Sequence, residues 1–219
     1  MKYTVLILLL FSNTILASII NPGDTNSYGC EILSAKTPIC LSISLIGEIE
    51  KGDSKRLQEL INHFSKDGMV RIGKLHLSSM GGDLVEALEI GNIVREHKIF
   101  TSVDPNKVCY SSCSLIYFSG VYRVPFGEIG IHSFYSKELL GSNNFSTANE
   151  GYEKISELLV AYFKKMRVPQ AVLSEMNAVP HTKIRILSGD ELASWGMVGF
   201  DPVYFQVRKC IDNCVPDPQ

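Results

Sequence analysis

Residues 108–120 read VCYSSCSLIYFSG, and this stretch decides the fold. It begins with small and polar residues and ends as an apolar run, which is typical of a tight turn that leads into a buried helix. Ser111 lies at the polar start of the predicted helix. There its hydroxyl group faces the positive end of the helix dipole, and the N–H of Ser112 is placed to donate to an oxyanion. The position also suits an ordinary serine cap, with Ser112 and Ser114 as neighbouring candidates.

A glycine pair marks the turn that precedes this stretch along the chain. The strand predicted over Arg71–Leu77 continues into residues 78–94, which read SSMGGDLVEALEIGNIV. Gly81 and Gly82, between a buried strand and a helix, allow a sharp turn and leave backbone N–H groups free for a ligand. A glycine pair also occurs at strand–helix turns that bind nothing.

The third segment, residues 127–132, reads GEIGIH and ends in a histidine on an apolar strand. Imidazole is the side chain that most readily serves as a general base near neutral pH. A single histidine on such a strand is also commonly a hydrogen-bonded residue of the core. His132 therefore gains its interest from the other two segments.

The order and spacing of the three segments resemble the proteolytic-subunit family of the Clp proteases, within the wider crotonase-like superfamily. In that family a Ser-Pro-Gly-Gly turn ends one strand, a small-residue turn carries the nucleophilic serine, and a later strand ends in Ile-His. The sequence also resembles a group of exported Clp-like proteins with a Cys-x-Ser-x-Cys turn. The resemblance covers roughly residues 39–201 and implies an α/β fold, a ClpP/crotonase-like spiral of ββα units in a single domain.

Carried over position by position, the resemblance implies a role for each residue of the three segments. Ser111 matches the nucleophile and His132 matches the base. The N–H groups of Gly82 and Ser112 match the oxyanion donors, and Gly81 shapes the turn.

Two positions depart from the family's pattern. Met80 replaces the proline before the glycine pair, and Ile184 occupies the position of the acidic third member of the catalytic triad. Either a Ser–His pair acts alone, or another acid, Asp201 or Asp190, completes the site.

The six cysteines fall into three local groups, for which we predict the disulfides Cys30–Cys40, Cys109–Cys113 and Cys210–Cys214; buried free thiols are the alternative. An alignment anchored on Val108 would place Cys113 at the nucleophile position, and a Cys109–Cys113 disulfide would exclude it. No pair of C-x-x-C motifs is present, so no metal site is predicted.

The first residues of the chain differ from the rest. Residues 1–18 have the positive start, apolar run and small-residue exit of a secretory signal peptide, with a retained membrane anchor as the alternative. We expect a loop segment over 19–38, the Clp-protease-like domain over 39–205 and a cysteine-containing tail over 206–219. The protein is therefore expected to be exported, either periplasmic or secreted, which suits its cysteines.

The net charge of −2 and the scattered basic residues exclude a nucleic-acid partner. No cofactor is expected. The resemblance implies a peptide or protein substrate and a homo-oligomer, with the apolar stripe of Tyr152–Met166 as the assembly surface or as plain core. No ATPase partner is implied, and membrane association follows only if the signal is retained.

The sequence thus predicts an exported serine peptidase-like hydrolase with a Ser–His pair. The absent acid raises a second hypothesis, a Clp-like interaction or assembly module without activity. A crotonase-type acyl-thioester enzyme is a third, in which the glycine turn stabilises an enolate. A lysine-based dyad, with Lys137 as the nearest candidate, is a fourth.

Overall fold

A computed structural model of the chain describes residues 39–66, 70–134, 145–202 and 204. Strands alternate with helices, as predicted. The strands are β1 (Ile39–Ile46), β2 (Val70–Ser78), β3 (Phe100–Val103), β4 (Val108–Tyr110), β5 (Tyr122–Pro125), β6 (Glu128–Ile131), β7 (Arg185–Ile186) and β8 (Gly199–Phe200). The helices are α1 (Asp53–Ser65), α2 (Leu84–Glu96), α3 (Ser112–Ser119), α4 (Phe145–Met166), α5 (Gln170–Ala178) and α6 (Gly189–Ser194).

The described strands form two sheets. The larger has the order β1-β2-β3-β5-β8 and is parallel except for β8, and the smaller has the order β4-β6-β7, with β4 and β6 parallel. Parallel neighbours need a crossover connection, which α1 supplies between β1 and β2, and α2 between β2 and β3. The sheets meet where Ser79, just after β2, pairs with Cys109 of β4. The ends of β2, β4 and β6 are thereby brought together.

Helix α3 is the centre of the core, as its apolar sequence predicts. Every residue from Ser112 to Ser119 is buried, because a helix that is apolar on all sides must be covered on all sides. Its buried hydroxyl groups need partners. Ser114 Oγ donates to the carbonyl of Ser111 and Ser119 Oγ to that of Ile116, at 2.7 and 2.6 Å.

The long helix α4 starts earlier than predicted, and it buries much of the apolar stripe of Tyr152–Met166. The polar composition of residues 136–149 predicts an irregular segment, but α4 already begins at Phe145. Helix formation is cooperative, so the amphipathic part of the helix extends into polar sequence. Much of the predicted stripe lies in the core, namely Leu159, Tyr162, Phe163 and Met166. For these residues the core interpretation holds.

A buried arginine fastens the elements behind α3. Arg123 of β5 is only 1% exposed and donates hydrogen bonds to the carbonyls of Phe118, Met166 and Gly196. Burial lowers the pKa of Arg123 to about 10, with nearby Asp201 acting in the opposite direction. The ends of α3 and α4 and the turn after α6 are thus held by one side chain.

The buried apolar residues form one contiguous cluster, so the described chain is a single domain. Within the ranges that the structure describes, no helix is both long enough and apolar enough to cross a bilayer. Several predicted features lie outside these ranges: the signal peptide, Lys137, the C-terminal tail, Cys30 of the pair Cys30–Cys40, and both cysteines of the pair Cys210–Cys214.

Candidate active site

Ser111 sits in a strained turn between β4 and α3. Its backbone angles are φ 55° and ψ −129°, in a region that residues other than glycine rarely occupy and that costs about 1–3 kcal/mol. An ordinary N-cap is extended, and its side chain accepts a hydrogen bond from the helix. Ser111 has neither property. Such a sharp strand-to-helix turn is the geometry that presents a nucleophilic serine in hydrolases.

Hydrogen bonds on both sides hold this turn in place. The N–H of Ser111 donates to Gly130 O at 3.0 Å, which fixes it to the end of β6. The carbonyl of Ser111 accepts from the N–H and the hydroxyl of Ser114, at 3.0 and 2.7 Å. These hydrogen bonds therefore offset the cost of the strained backbone and keep the turn in this conformation.

The glycine pair lies directly against the serine. Gly81 has a φ of 108°, and a Cβ added to it would lie 2.7 Å from Ser111 Cβ and 3.1 Å from Ser111 Oγ. No side chain fits between them. Gly81 and Ser111 are 30 positions apart in the sequence, and the fold brings them into contact. A nucleophile beside an oxyanion turn requires this contact.

Two backbone N–H groups close to Ser111, those of Gly82 and Ser112, have no acceptor among the described residues. Ile49 pairs with Gly82 as an isolated bridge, in which Ile49 N donates to Gly81 O and Asp83 N donates to Ile49 O, both at 2.8 Å. These hydrogen bonds use the carbonyl of Gly81 and the N–H of Asp83, and they do not involve the N–H of Gly82. Ser112 begins α3, so its N–H has no acceptor within the helix. Neither N–H donates to the protein among the hydrogen bonds of the described residues.

The side chain of Ser112 is also hydrogen-bonded to the backbone of Gly82. Ser112 Oγ donates to Gly82 O at 3.2 Å. Two unsatisfied donors held side by side next to a serine hydroxyl are the components of an oxyanion hole.

His132 lies at the same sheet edge as Ser111. Strands β4 and β6 are parallel, with Tyr110 opposite Gly130, so the residues that follow them emerge side by side. His132 is 8% exposed, and its Nδ1 lies 2.7 Å from the carbonyl oxygen of Ser133. Because a carbonyl only accepts, Nδ1 carries the proton of the neutral imidazole and Nε2 has the free lone pair.

Among the hydrogen bonds of the described residues, none joins Ser111 Oγ to His132. The two residues share an edge but are not connected in this structure. Such bonds are often long in the absence of substrate and tighten when it binds.

The position of the missing acid is filled by an apolar side chain. In the antiparallel register of β6 and β7, Gly130 pairs with Ile186 and Ile131 with Arg185. One further step places Ile184 opposite His132, as the resemblance implies. The hydrogen-bond partner of His132 Nδ1 is instead the carbonyl of Ser133. No sequence pattern indicates this contact.

Neither alternative acid is assigned to the histidine. Asp201 is fully buried in an ion pair with Arg95, with Nη2 and Oδ2 at 2.7 Å, and lies 3.7 Å from Arg123. Its other oxygen accepts from the N–H of Tyr204. Two guanidinium groups hold the carboxylate of Asp201, which argues against Asp201 as the third member of a triad. Asp190 is exposed in the first turn of α6.

The predicted disulfide Cys109–Cys113 is formed and buried. A sulfur engaged in a disulfide is not a thiolate, so Cys113 is excluded as the nucleophile. The disulfide spans the turn that carries Ser111.

An open groove of about 610 Å³ adjoins the glycine turn. It is lined by residues on either side of the ends of β1 and β2, together with the start of β4: Ile46, Gly47, Glu48, Ser78, Ser79, Met80, Gly81, Gly82 and Val108. Met80, where the family has proline, is largely exposed along it. The groove leaves room for a ligand beside Gly82.

A second serine–histidine–aspartate cluster was not predicted, because its members are far apart in sequence. His76 Nδ1 lies 2.7 Å from Asp104 Oδ2 and 3.1 Å from Ser102 Oγ. In a catalytic triad the serine and the acid contact opposite nitrogens, whereas here both contact the same nitrogen. The cluster therefore lacks the arrangement of a nucleophile and its base.

Comparison with known proteins places the chain by its fold. No protein-family model and no curated protein matches the sequence. Among solved structures, a variant of the 1510-N membrane-bound stomatin-specific protease is similar at 16% identity with a TM-score of 0.52, over 80% of this chain and 86% of that one. A peptidase from Plasmodium falciparum is similar at 14% identity with a TM-score of 0.53, over 72% and 92%.

A variant of ClpP1 from Listeria monocytogenes is matched at 14% identity and a TM-score of 0.48, over 72% of this chain and 88% of that one. The predicted α/β fold is confirmed: parallel strands alternate with helices, and the chain shares its fold with the stomatin-specific protease and the Plasmodium peptidase.

Proposed function

We propose that this chain is a serine hydrolase that cleaves peptide bonds. Ser111 in its strained turn, with Gly81 packed against it and two free N–H groups beside it, is the observation that carries the proposal. The names of the two similar structures, a protease and a peptidase, support a peptide as the substrate.

The proposed reaction uses each group in turn. Ser111 Oγ attacks the scissile carbonyl carbon while its proton passes to Nε2 of His132. The carbonyl oxygen becomes an oxyanion, which accepts hydrogen bonds from the N–H groups of Gly82 and Ser112. The C–N bond then breaks as Nε2 returns the proton to the leaving amine. Water repeats the sequence, releases the acyl group and restores the serine.

The carbonyl of Ser133 performs one of the two functions of a triad acid, which are to select the tautomer of the histidine and to stabilise the imidazolium. It selects the tautomer in which Nε2 is the base. It carries no full charge, so it stabilises the imidazolium less than a carboxylate would. We therefore propose a Ser–His dyad with a backbone carbonyl as its orienting group.

Export and self-association belong to the same proposal. The signal-like residues 1–18 and the disulfide beside Ser111 support an oxidising compartment. Leu158 and Val160 of α4 are exposed, which supports assembly through that helix. Ile184 in the place of the acid favours one second candidate, an assembly module of the same fold without activity.

Hydrolysis of casein and of a fluorogenic peptide library by the purified chain tests the function. Ser111→Ala and His132→Gln are each expected to lower kcat/KM by about 1,000-fold or more. Ser102→Ala and His76→Gln are matched controls from the second cluster, and we expect activity within about threefold of wild type.

Two outcomes would contradict the proposal. A wild-type chain that is folded but hydrolyses no substrate would favour the inactive module. Loss of activity in Ser102→Ala and His76→Gln, but not in Ser111→Ala and His132→Gln, would move the site to the second cluster.

A further inference from the structure

We propose that the Cys109–Cys113 disulfide is a positioning element for the nucleophile, which holds Ser111 in its reactive conformation. The inference rests on the proposed function. It assigns the disulfide a role in the rate of the chemical step, beyond any role in the stability of the fold.

The disulfide closes across the strained residue itself. Cys109 belongs to β4 and Cys113 to α3, and their Cα atoms are 5.2 Å apart. Ser111 is the midpoint of the enclosed segment and carries the positive φ. The link therefore fixes the distance between the strand that enters the turn and the helix that leaves it.

The disulfide closes a short loop, so it contributes less to the stability of the whole fold than a link between distant residues would. The entropy that a disulfide removes from the unfolded chain grows with the length of the loop it closes, and the separation here is only 4. Both cysteines are completely buried within the core. The effect of so short a link is confined to the turn.

Relaxation of the turn would misplace the hydroxyl group. A Cβ at Gly81 would lie 3.1 Å from Ser111 Oγ, so this hydroxyl group packs against Gly81, the neighbour of the proposed oxyanion donor Gly82. If φ of Ser111 returned to an ordinary value, Oγ would move away from the proposed oxyanion donors and from His132. A misplacement of about 1 Å is enough to cost about 100-fold in rate.

The carbonyl of Ser111 has a second tie, which acts from within α3. Ser114 Oγ donates to it at 2.7 Å. Ser119 Oγ makes the same kind of bond, to the carbonyl of Ile116 at 2.6 Å, at the far end of the same helix. Ser119 therefore provides a control for removal of a buried hydroxyl group that does not touch the turn.

The test measures kcat, KM and the urea midpoint of Cys109→Ala/Cys113→Ala, with Ser114→Ala and Ser119→Ala beside it. We expect kcat to fall about 10- to 100-fold in the double variant with KM within about threefold, and to fall in the same direction in Ser114→Ala. We expect Ser119→Ala to keep its kcat. If the double alanine variant does not fold, Cys109→Val/Cys113→Ala refills most of the lost volume.

A folded cysteine variant with the kcat of wild type would overturn the inference. A loss of activity that matches only the unfolded fraction would overturn it as well, since the disulfide would then serve stability alone. Either result leaves an active wild-type enzyme, whereas failure of the proposed function would leave the wild-type chain without activity.

Discussion

Gly82→Ala is expected to abolish hydrolysis and to lower the free energy of unfolding by about 2–6 kcal/mol, the sum of an overpacking and a strain cost. A Cβ at this position would lie 2.2 Å from Ile49 O and 2.6 Å from Ile49 N. These are backbone atoms that pair with Gly81 and Asp83, so they cannot move without breaking those bonds. The φ of 146° adds strain for any L side chain.

Two control variants separate the causes. Gly199 has a φ of +75° but open space around it, and Gly189 has open space and no positive φ. Gly199→Ala is expected to cost about 1–3 kcal/mol from strain alone, and Gly189→Ala about 0.5 kcal/mol or less; both should retain activity. Urea unfolding and peptide hydrolysis measure all three. Equal stability and activity of Gly82→Ala and Gly189→Ala would contradict the described turn.

Asp201→Ala is expected to lower the free energy of unfolding by about 3–5 kcal/mol, because it leaves the buried charge of Arg123 without its carboxylate. Activity per folded molecule should not change. Asp190→Ala, at an exposed position, is the control and is expected to cost less than about 1 kcal/mol. Loss of hydrolysis in fully folded Asp201→Ala would instead place this carboxylate at the catalytic histidine.

The same residue predicts a pH dependence of stability. Burial alone would raise the pKa of Asp201, but the hydrogen bond and charge of Arg95, with Tyr204 N–H and Arg123, lower it below its ordinary value. Its contribution is therefore present above the unfolded pKa of about 4 and is lost as the pH falls through the lower folded pKa. Urea unfolding at falling pH should show the difference between wild type and Asp201→Ala shrinking.

The buried helix α3 and its serine turn could be predicted from sequence, because an apolar run after small residues reports burial directly. The start of α6 is also of a kind that sequence can predict, since Ser188 and Glu191 form a capping box with the usual spacing of three residues. The two-residue strands β7 and β8 are too short to show any period. Their existence depends on partners distant in sequence.

For the proposed Ser–His pair too, the sequence predicts one part and the structure adds another. The resemblance supplied the candidates Ser111 and His132, but only coordinates show the φ of Ser111 and the contact between His132 Nδ1 and the Ser133 carbonyl. Asp201 stayed an open alternative for the third member, because its partner Arg95 is 106 residues away. No local pattern links two charges at that separation.

The most direct test of a nucleophilic Ser111 is covalent labelling with a fluorophosphonate, followed by mass spectrometry of the labelled peptide. We predict a single adduct on Ser111, absent in Ser111→Ala and formed at least about 100-fold more slowly in His132→Gln. An adduct on Ser112 or Ser114, or a folded wild-type chain that forms none, would contradict it.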